Sequence, residues 1–303
     1  MLLSFGALIG SLELGMIYAI LALGVFLSFR TLNIPDLTVD GSVVTGAAAS
    51  AMVCVSGGNP ILGLAAGFAC GSIAGAVTAL LNTKLKIQAL LAGILVMLGL
   101  YSINLRIMGN KPNISLIREE TVYTKAAEIF GEEYSALIIG AAMLVAFIIV
   151  FFFFLKTRLG FALRATGDNE EMVRAYGRDS EGLKVLGLAI SNGFVGLAGA
   201  LLAQYQSFAD ATMGTGMMVI GLASVIIGEA IFGTRSPLRR LTAVELGAIA
   251  YRIVLAQALA MGLPTGDLKL VSAIIVVMAL TLGTLGENFP FKTLLVKKEG
   301  YRC

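Results

Sequence analysis

The 303-residue chain is dominated by apolar side chains. The residues Ala, Val, Ile, Leu, Met, Phe, Trp, Tyr and Cys make up 57% of it, charged residues only 14%, and the mean hydropathy is +0.89. Because a soluble domain has about a quarter of its residues charged, this composition indicates an integral membrane protein. The chain has no histidine and only 3 cysteines, which excludes a metalloenzyme, a Ser-His-Asp hydrolase and a disulfide framework. The net charge of +3 says less than the positions of the charges.

Apolar stretches of membrane-spanning length predict an all-α polytopic membrane protein with about nine transmembrane helices, within a range of about 8–10. The stretches lie near 5–29, 39–55, 61–82, 88–107, 135–155, 185–206, 215–233, 241–262 and 268–286. They lack the short alternating segments of a β-barrel. No basic residue precedes the first stretch, so we interpret it as a retained span and not as a signal peptide. We treat 1–303 as a single transmembrane domain.

The distribution of basic residues predicts the orientation. If the polar segment 156–184 is cytoplasmic, alternation of the spans places the C-terminus in the cytoplasm and the N-terminus outside. The loops that are then cytoplasmic hold most of the lysines and arginines, as the positive-inside bias requires. We therefore expect a multi-pass protein of the cytoplasmic (inner) membrane with an external loop over 107–134.

The two halves of the chain share a glycine pattern that predicts an internal repeat. A shift of about 175 positions aligns Gly24 with Gly199, Gly41 with Gly216, Gly46 with Gly221 and Gly58 with Gly233. The shift carries the first span onto the sixth, and an odd offset inverts one half relative to the other, as in many transporters. The predicted halves are about 1–155 and 185–290.

Two further glycine patterns predict close helix packing. One stripe recurs every four residues and the other every three: Gly63, Gly67, Gly71 and Gly75, and Gly193, Gly196 and Gly199. Such stripes let another helix approach at backbone distance.

Six charged residues lie within or beside the predicted spans: Glu13, Asp36, Asp40, Glu229, Glu245 and Arg252. A charge at the bilayer centre costs about 2.5–3.5 kcal/mol, so we expect each to face protein or water. Arg252 is expected to meet Glu13 or Glu229, either in a structural ion pair or as a pathway group that contacts a zwitterionic substrate. The segment 30–42 is either a turn or a broken helix beside a pathway.

The polar segment 156–184 predicts a short helix outside the membrane. Asn169 can cap a helix whose first turn holds Glu170 and Glu171, and Gly177 can end it. The basic residues beside this helix are Arg164, Arg174 and Arg178. A short capped helix with flanking charges is suited to docking on another protein, although an ordinary surface connector has the same pattern.

The run Arg164-Ala165-Thr166-Gly167-Asp168-Asn169, followed by Arg174 and Gly177, resembles the cytoplasmic loop of ABC importer permeases of the branched-chain amino acid and ribose class. Val173 departs from the alanine common there. The segments 191–201 and 214–228 are similar to the same family, as is 36–42 apart from its extra Asp40. The resemblance implies a coupling helix that contacts an ATPase through Arg164, Gly167, Asn169, Glu170, Glu171, Arg174, Gly177 and Arg178.

The resemblance also implies a set of partners. It predicts a second permease subunit in a homodimer, two ATPase subunits and an extracytoplasmic substrate-binding protein that docks on the external loop. The sequence contains no Gly-Lys dipeptide, so it has no Walker A loop. We therefore expect no enzymatic activity and no cofactor on this chain, with ATP and Mg on the partner ATPase. Apart from the lipid bilayer, no further partner and no nucleic acid is expected.

The expected substrate is an amino acid, aromatic or branched-chain, because the end of the seventh span at Ile227, Gly228 and Glu229 resembles the amino-acid branch of the family. A sugar or nucleoside permease of the same class is the alternative. An ion-coupled secondary transporter would use the intramembrane acids as coupling sites. A membrane-embedded enzyme is disfavoured by the lack of histidine.

Overall fold

The computed structural model describes residues 5–278 and residue 281, apart from 132–133, 235, 265–266 and 268–269. Its helices are α1 (Phe5–Val25, continued by a π-helical turn, Phe26–Thr31), α2 (Thr38–Val55), α3 (Pro60–Thr83), α4 (Ala89–Ile107), α5 (Val122–Phe130), α6 (Ser135–Lys156), α7 (Arg158–Asp168), α8 (Glu170–Ala175), α9 (Ser180–Gln206), α10 (Met217–Phe232) and α11 (Pro237–Ala260). Strands β1 (Asn113–Ser115) and β2 (Phe208–Asp210) form an antiparallel pair.

The apolar helices confirm the predicted all-α polytopic membrane fold. Within the described residues, 7 helices are long and apolar enough to cross a membrane, counting α1 together with its π-helical turn. The shorter apolar helix α10 has 16 residues and corresponds to the predicted span 215–233. The predicted span 268–286 lies partly outside the described residues, of which 270–278 are helical. The sixth span begins earlier than predicted, at Ser180, because Asp179 caps the helix by accepting from the backbone N–H groups of residues 181 and 182.

Burial separates central from peripheral helices. In the most apolar windows of α1 and α9, 78% of the residues are buried inside the protein, and in α2 72%. The corresponding shares are 28% in α4 and 11% in α6, so these two helices present apolar surface to lipid. The core therefore lies where α1, α2 and α9 meet.

The helix boundaries have the arrangement expected of an inverted repeat. The helical segments Phe5–Thr31 and Ser180–Gln206 have the same length, and a shift of 175 positions carries both ends of the first onto the ends of the second. With the same shift, α2 approaches α10 and α3 approaches α11 within a few residues. Contacts follow the same relation, because α3 packs on α9 as α11 packs on α1. In α1 and α9, Glu13 meets Tyr205 and Gly24 meets Ser191, so these two repeat-related helices run antiparallel.

The α3 glycine stripe lies directly against α9. A Cβ added to Gly71 would lie 2.3 Å from the carbonyl oxygen of Asn192, and one added to Gly75 would lie 2.2 Å from that of Leu188. A Cβ on Gly67 would lie 2.7 Å from the Ala200 Cβ. Both helices therefore approach at backbone distance along the stripe, which admits no larger side chain.

The α9 glycines face two different helices. A Cβ on Gly196 would lie 2.4 Å from the Gly67 carbonyl oxygen in α3, whereas one on Gly199 would lie 2.0 Å from the Val43 carbonyl oxygen in α2. Gly193 lies against the α3 side chains of residues 68 and 72. The spacing of three thus places small residues on both faces where α9 is enclosed.

Candidate functional site

The polar segment 156–184, called the connector below, contains two short helices, α7 and α8. Thr157 caps α7 by accepting from the Gly160 N–H, and Asn169 caps α8 by accepting from the Met172 N–H at 3.0 Å. The α8 helix ends before Gly177, whose φ of 74° suits a residue without a Cβ. Asn169 and Gly177 thus lie where the sequence predicts a cap and a stop, whereas α7 is a helix that the sequence analysis did not predict.

Glu170 joins α8 to the start of α9. Its carboxylate accepts hydrogen bonds from Arg174 at 2.7 Å, from the Ser180 hydroxyl at 3.1 Å and from the Lys184 ammonium. The Lys184 hydrogen bond, more than any other contact, lowers the pKa of Glu170. Arg174 also donates to Ser180 at 2.7 Å. Glu170 and Arg174 therefore hold the connector together instead of forming only an outer surface.

The connector also contacts the end of α1. A Cβ on Gly167 would lie 2.1 Å from the Thr31 carbonyl oxygen and 3.0 Å from Leu32. Arg164 donates to the Leu155 carbonyl oxygen at 2.6 Å, and its guanidinium lies over the Phe161 ring. Gly167 therefore brings α7 to backbone distance from the end of α1 and the residue that follows it.

An exposed face of α8 remains free for a partner. Tyr176 is 80% exposed and Met172 46% exposed, while Val173 between them is buried. Glu171 and Arg178 are exposed beside them. The pattern of caps and charges predicts Glu171 and Arg178 as contact residues but not Tyr176 and Met172, although exposed Tyr and Met in a polar segment are typical of interface anchors.

The helix breaks between α1 and α2, and two acids beside this break make contacts with the second half of the chain: Asp36 lies in the break and Asp40 in the first turn of α2. The Asp36 carboxylate accepts from the Thr38 N–H at 2.9 Å and from the Asn192 side chain at 2.6 Å. The Asp40 carboxylate accepts from the backbone N–H groups of Gly216 and Met218, at 2.9 and 2.8 Å. Asp36 thus starts α2 and ties it to α9, while Asp40 caps the beginning of α10.

The predicted pairing of Arg252 with Glu13 or Glu229 is wrong. Glu229 pairs with Arg30, and Glu13 accepts a hydrogen bond from the Tyr205 hydroxyl at 2.7 Å. The Arg252 guanidinium lies 5.2 Å from the centroid of the Tyr18 ring, an arrangement that a cation favours electrostatically. Arg30 lies at the end of α1 and Glu229 in α10, 199 positions away, so no sequence pattern within one span predicts that they pair.

Glu245 lies buried in α11 with 2% of its surface exposed. Its Oε1 atom has no hydrogen-bond partner among the described residues. Within that part of the chain, Glu245 therefore does not join the other intramembrane charges in an ion pair.

The loop 107–134 is a folded cover on the opposite end of the bundle. Strand β1 pairs with β2, and the Val122 N–H donates to the Gln204 side chain at 2.8 Å. Leu116 is 1% exposed and Ala126 5% exposed, whereas Ile117 is 81% exposed. The inner face of this loop thus covers the ends of α2 and α9, and its outer face is available to a partner; 132–133 lie outside the described residues.

The fold and the connector together define a multi-pass membrane transport protein with a short, tightly anchored helix at one end. Residues 7–282 match the protein family described as branched-chain amino acid transport system, permease component.

Three relatives of this chain are named as transport permeases. A tyrosine transport system permease protein of Clostridioides difficile is 39% identical over 89% of each chain. The ribose import permease protein of Escherichia coli is 30% identical over 69% of this chain and 65% of its own. A probable branched-chain amino acid transport permease protein of Methanocaldococcus jannaschii is 25% identical over 91% and 90%. The chain belongs to the branched-chain amino acid and ribose class of ABC importer permeases.

Proposed function

We propose that this chain is the permease subunit of an importer for an amino acid, delivered by an extracytoplasmic binding protein and driven by separate ATPase subunits. The class is that of ABC importer permeases, and the relative at 39% identity that spans 89% of both chains is named for tyrosine transport. The likeness to a ribose permease covers less of the chain, 69%. An aromatic amino acid is therefore the favoured substrate, and a sugar is the second candidate.

The observation that carries the mechanism is the anchoring of α8. Glu170 ties it to Ser180 and Lys184 of α9, and Gly167 holds α7 against the end of α1. Because α1 and α9 form the centre of the bundle, a push on α8 reaches the two repeat-related helices at once. Closure of the ATPases on ATP thus rearranges the spans and alternates access between the two sides of the membrane.

The orientation of the chain in the membrane follows from the proposal that α8 contacts the ATPase. The bundle end with the connector carries Arg30, Lys84, Arg158 and Lys156 as well as the connector arginines, so it is the cytoplasmic end by the positive-inside bias. The covered end with β1 and β2 is then external and receives the binding protein. By parity of the spans, the N-terminus is external and the C-terminus cytoplasmic, in the inner membrane.

An exposed side chain of α8 provides the test of coupling. Tyr176→Arg replaces an anchor that is 80% exposed without touching the Glu170 contacts, so it should weaken ATPase association and lower transport while leaving the permease folded. The matched control is Tyr134→Arg, at a tyrosine 46% exposed on the opposite end. Copurification of the ATPase is compared between the two variants, and uptake into proteoliposomes is measured for Tyr176→Arg against wild type, because Tyr134 lies in the loop assigned to the binding protein. Equal copurification of the ATPase with the two variants would contradict the assignment of α8.

The substrate is tested separately. The complete transporter with its cognate binding protein is reconstituted, and uptake of labelled tyrosine, leucine and ribose is compared. ATP-dependent uptake of tyrosine or leucine without ribose supports the proposal, whereas uptake of ribose alone favours the sugar alternative. Ion-driven uptake by the permease without any ATPase would overturn both.

A further inference from the structure

A polar cleft of about 360 Å³ lies at the connector end, between α7 and the turn that joins α10 to α11. Its lining includes three arginines and one carboxylate: Arg30, Arg164, Arg240 and Asp168. The charge of Arg30 is balanced by Glu229, with which it pairs. Two arginines then face one carboxylate, so the cleft keeps an excess of positive charge.

Several hydrogen-bond donors in the cleft are available to an anion. Arg164 uses Nη2 and Nε on the Leu155 and Gly160 carbonyl oxygens, which leaves its Nη1 amino group. Among the residues that the structure describes, none accepts from or pairs with the Arg240 guanidinium. Ser236 and Pro237, at the start of α11, complete the lining, and the N-terminus of that 24-residue helix adds a partial positive charge.

The depth of the cleft is set by α6. This helix has 22 residues, and only 11% of its most apolar window is buried inside the protein, so most of its surface is available to lipid. It ends at Lys156, whose ammonium lies 4.2 Å from the Phe152 ring centroid, and the residue before it, Leu155, lines the cleft. The hydrocarbon region therefore ends at Leu155, and the cleft opens at the level of the lipid headgroups.

Helix α7 extends this interface along the membrane surface. Leu159 and Phe161 are 47% and 59% exposed, and Arg164 lies over the Phe161 ring. A helix with exposed apolar side chains beside basic ones is typical of a segment that lies at the headgroup boundary. Acyl chains can thus contact Phe161, on the same face as Arg164, while a headgroup enters the cleft.

We propose that this cleft binds the phosphate of an anionic phospholipid. Arg240 and Arg164 donate charge-assisted hydrogen bonds to the phosphate oxygens, as basic pockets between membrane helices do for acidic headgroups. Among the described lining residues the arginines outnumber the carboxylate, which favours an anionic ligand. Because the bound phosphate joins α7 to the start of α11, the lipid stabilises the contact between the connector and the second half of the bundle.

Arg240→Gln is the most direct test, since it removes one donor and breaks no contact among the described residues. Native mass spectrometry of the purified permease measures binding of phosphatidylglycerol, with phosphatidylcholine as the zwitterionic comparison. Loss of one charge-assisted contact should weaken phosphatidylglycerol binding by roughly tenfold. Arg240→Lys, which keeps the charge, should retain part of the binding. Arg158→Gln, at an exposed arginine of α7 outside the cleft, is the matched control and should bind as the wild type does.

The other outcomes overturn the proposal. Equal phosphatidylglycerol binding by Arg240→Gln and Arg158→Gln would show that the lipid binds elsewhere. Displacement of the lipid by millimolar inorganic phosphate would identify a site for a free anion. Loss of the lipid on addition of the ATPase subunits would show that acidic side chains of that partner occupy the cleft. The measurement needs neither transport nor ATP hydrolysis, so its result is independent of the assigned substrate.

Discussion

The contact between α3 and α9 predicts a large effect from the smallest possible side chain. In Gly71→Ala, the new Cβ would lie 2.3 Å from the Asn192 carbonyl oxygen, whereas ordinary van der Waals contact begins at 3.4 Å. The two helices must separate by the difference, about 1.1 Å, because the Cβ is fixed to the α3 backbone and the oxygen belongs to the α9 backbone, so neither can rotate away. Overpacking of this kind costs about 1–3 kcal/mol, and the rigid surroundings place Gly71 near the upper end.

Gly99→Ala in α4 is the matched control. A Cβ at Gly99 meets nothing within 4 Å, so the change should be neutral or should stabilise the helix by up to about 1 kcal/mol through helix propensity. The two variants should then differ in melting temperature by roughly 5–10 °C. Thermal denaturation of the detergent-purified permease, followed by the loss of its monodisperse size-exclusion peak, measures this difference.

A second pair of variants separates side-chain from backbone overlap. The Cβ of Gly67→Ala meets the Ala200 Cβ at 2.7 Å, so adding Ala200→Gly should recover part of the lost stability. The same Ala200→Gly change should not rescue Gly71→Ala, because the obstacle there is a carbonyl oxygen. Equal melting temperatures for Gly71→Ala and Gly99→Ala would refute the backbone-distance packing of α3 on α9.

Two further predictions concern charges. Because Lys184 lowers the pKa of Glu170, the contact is present above the usual carboxyl pKa of about 4.3 and is lost as the pH falls through the lowered value. Hydrogen–deuterium exchange over 170–180 should therefore be faster in Glu170→Gln than in wild type from pH 7 down to about 4.3, and the difference should shrink as the pH falls further; a difference that stays constant below that pH would contradict this. Arg30→Gln leaves the buried Glu229 carboxylate, whose side chain is 6% exposed, without its cation and should cost about 1–3 kcal/mol. Glu229→Gln should cost less, and the double variant should melt near Glu229→Gln; additive losses would argue against the pair.

The sequence was sufficient to predict features that depend on neighbours along the chain. Hydropathy located the spans, and the pattern of Asn169 followed by two glutamates located α8 because an N-cap acts within three residues. The missed helix α7 has a cap at Thr157, but Gly160 and Gly167 weakened its helical pattern. The structure shows why those glycines are there: each lies where a Cβ would strike a backbone atom within 2.5 Å.

Partners across the bundle could not be predicted in the same way. Arg30 and Glu229 are 199 positions apart and Glu13 and Tyr205 are 192 apart, and no periodicity within one span identifies the facing helix. The repeat shift of 175 positions predicts which helices face each other, but not which side chains pair across them. Gly67 lies against Ala200 of α9, and the same antiparallel pairing recurs where Ala7 and Ala260 border one cavity between α1 and α11.

Two of the intramembrane acids, Asp36 and Asp40, are explained by the places where helices break. Backbone N–H groups at a helix start have no intrahelical acceptor, and in the membrane water cannot replace it. Asp36 accepts from Thr38 at the start of α2, and Asp40 accepts from Gly216 and Met218 at the start of α10. Both acids thus satisfy the backbone where the helices begin, and Asp40 joins the first half of the chain to the second.

Arg252 has no such role at a helix end. It lies in the middle of α11 over the Tyr18 ring and borders a cavity of about 410 Å³ that Tyr205 also lines. The Tyr205 hydroxyl in turn donates to Glu13, and Arg252 and Glu13 form no ion pair with each other in the part of the chain that the structure describes. Asp36 and Asp40 are committed to the fold by the N–H groups from which they accept, whereas a pathway role for Glu13 and Arg252 stays a prediction.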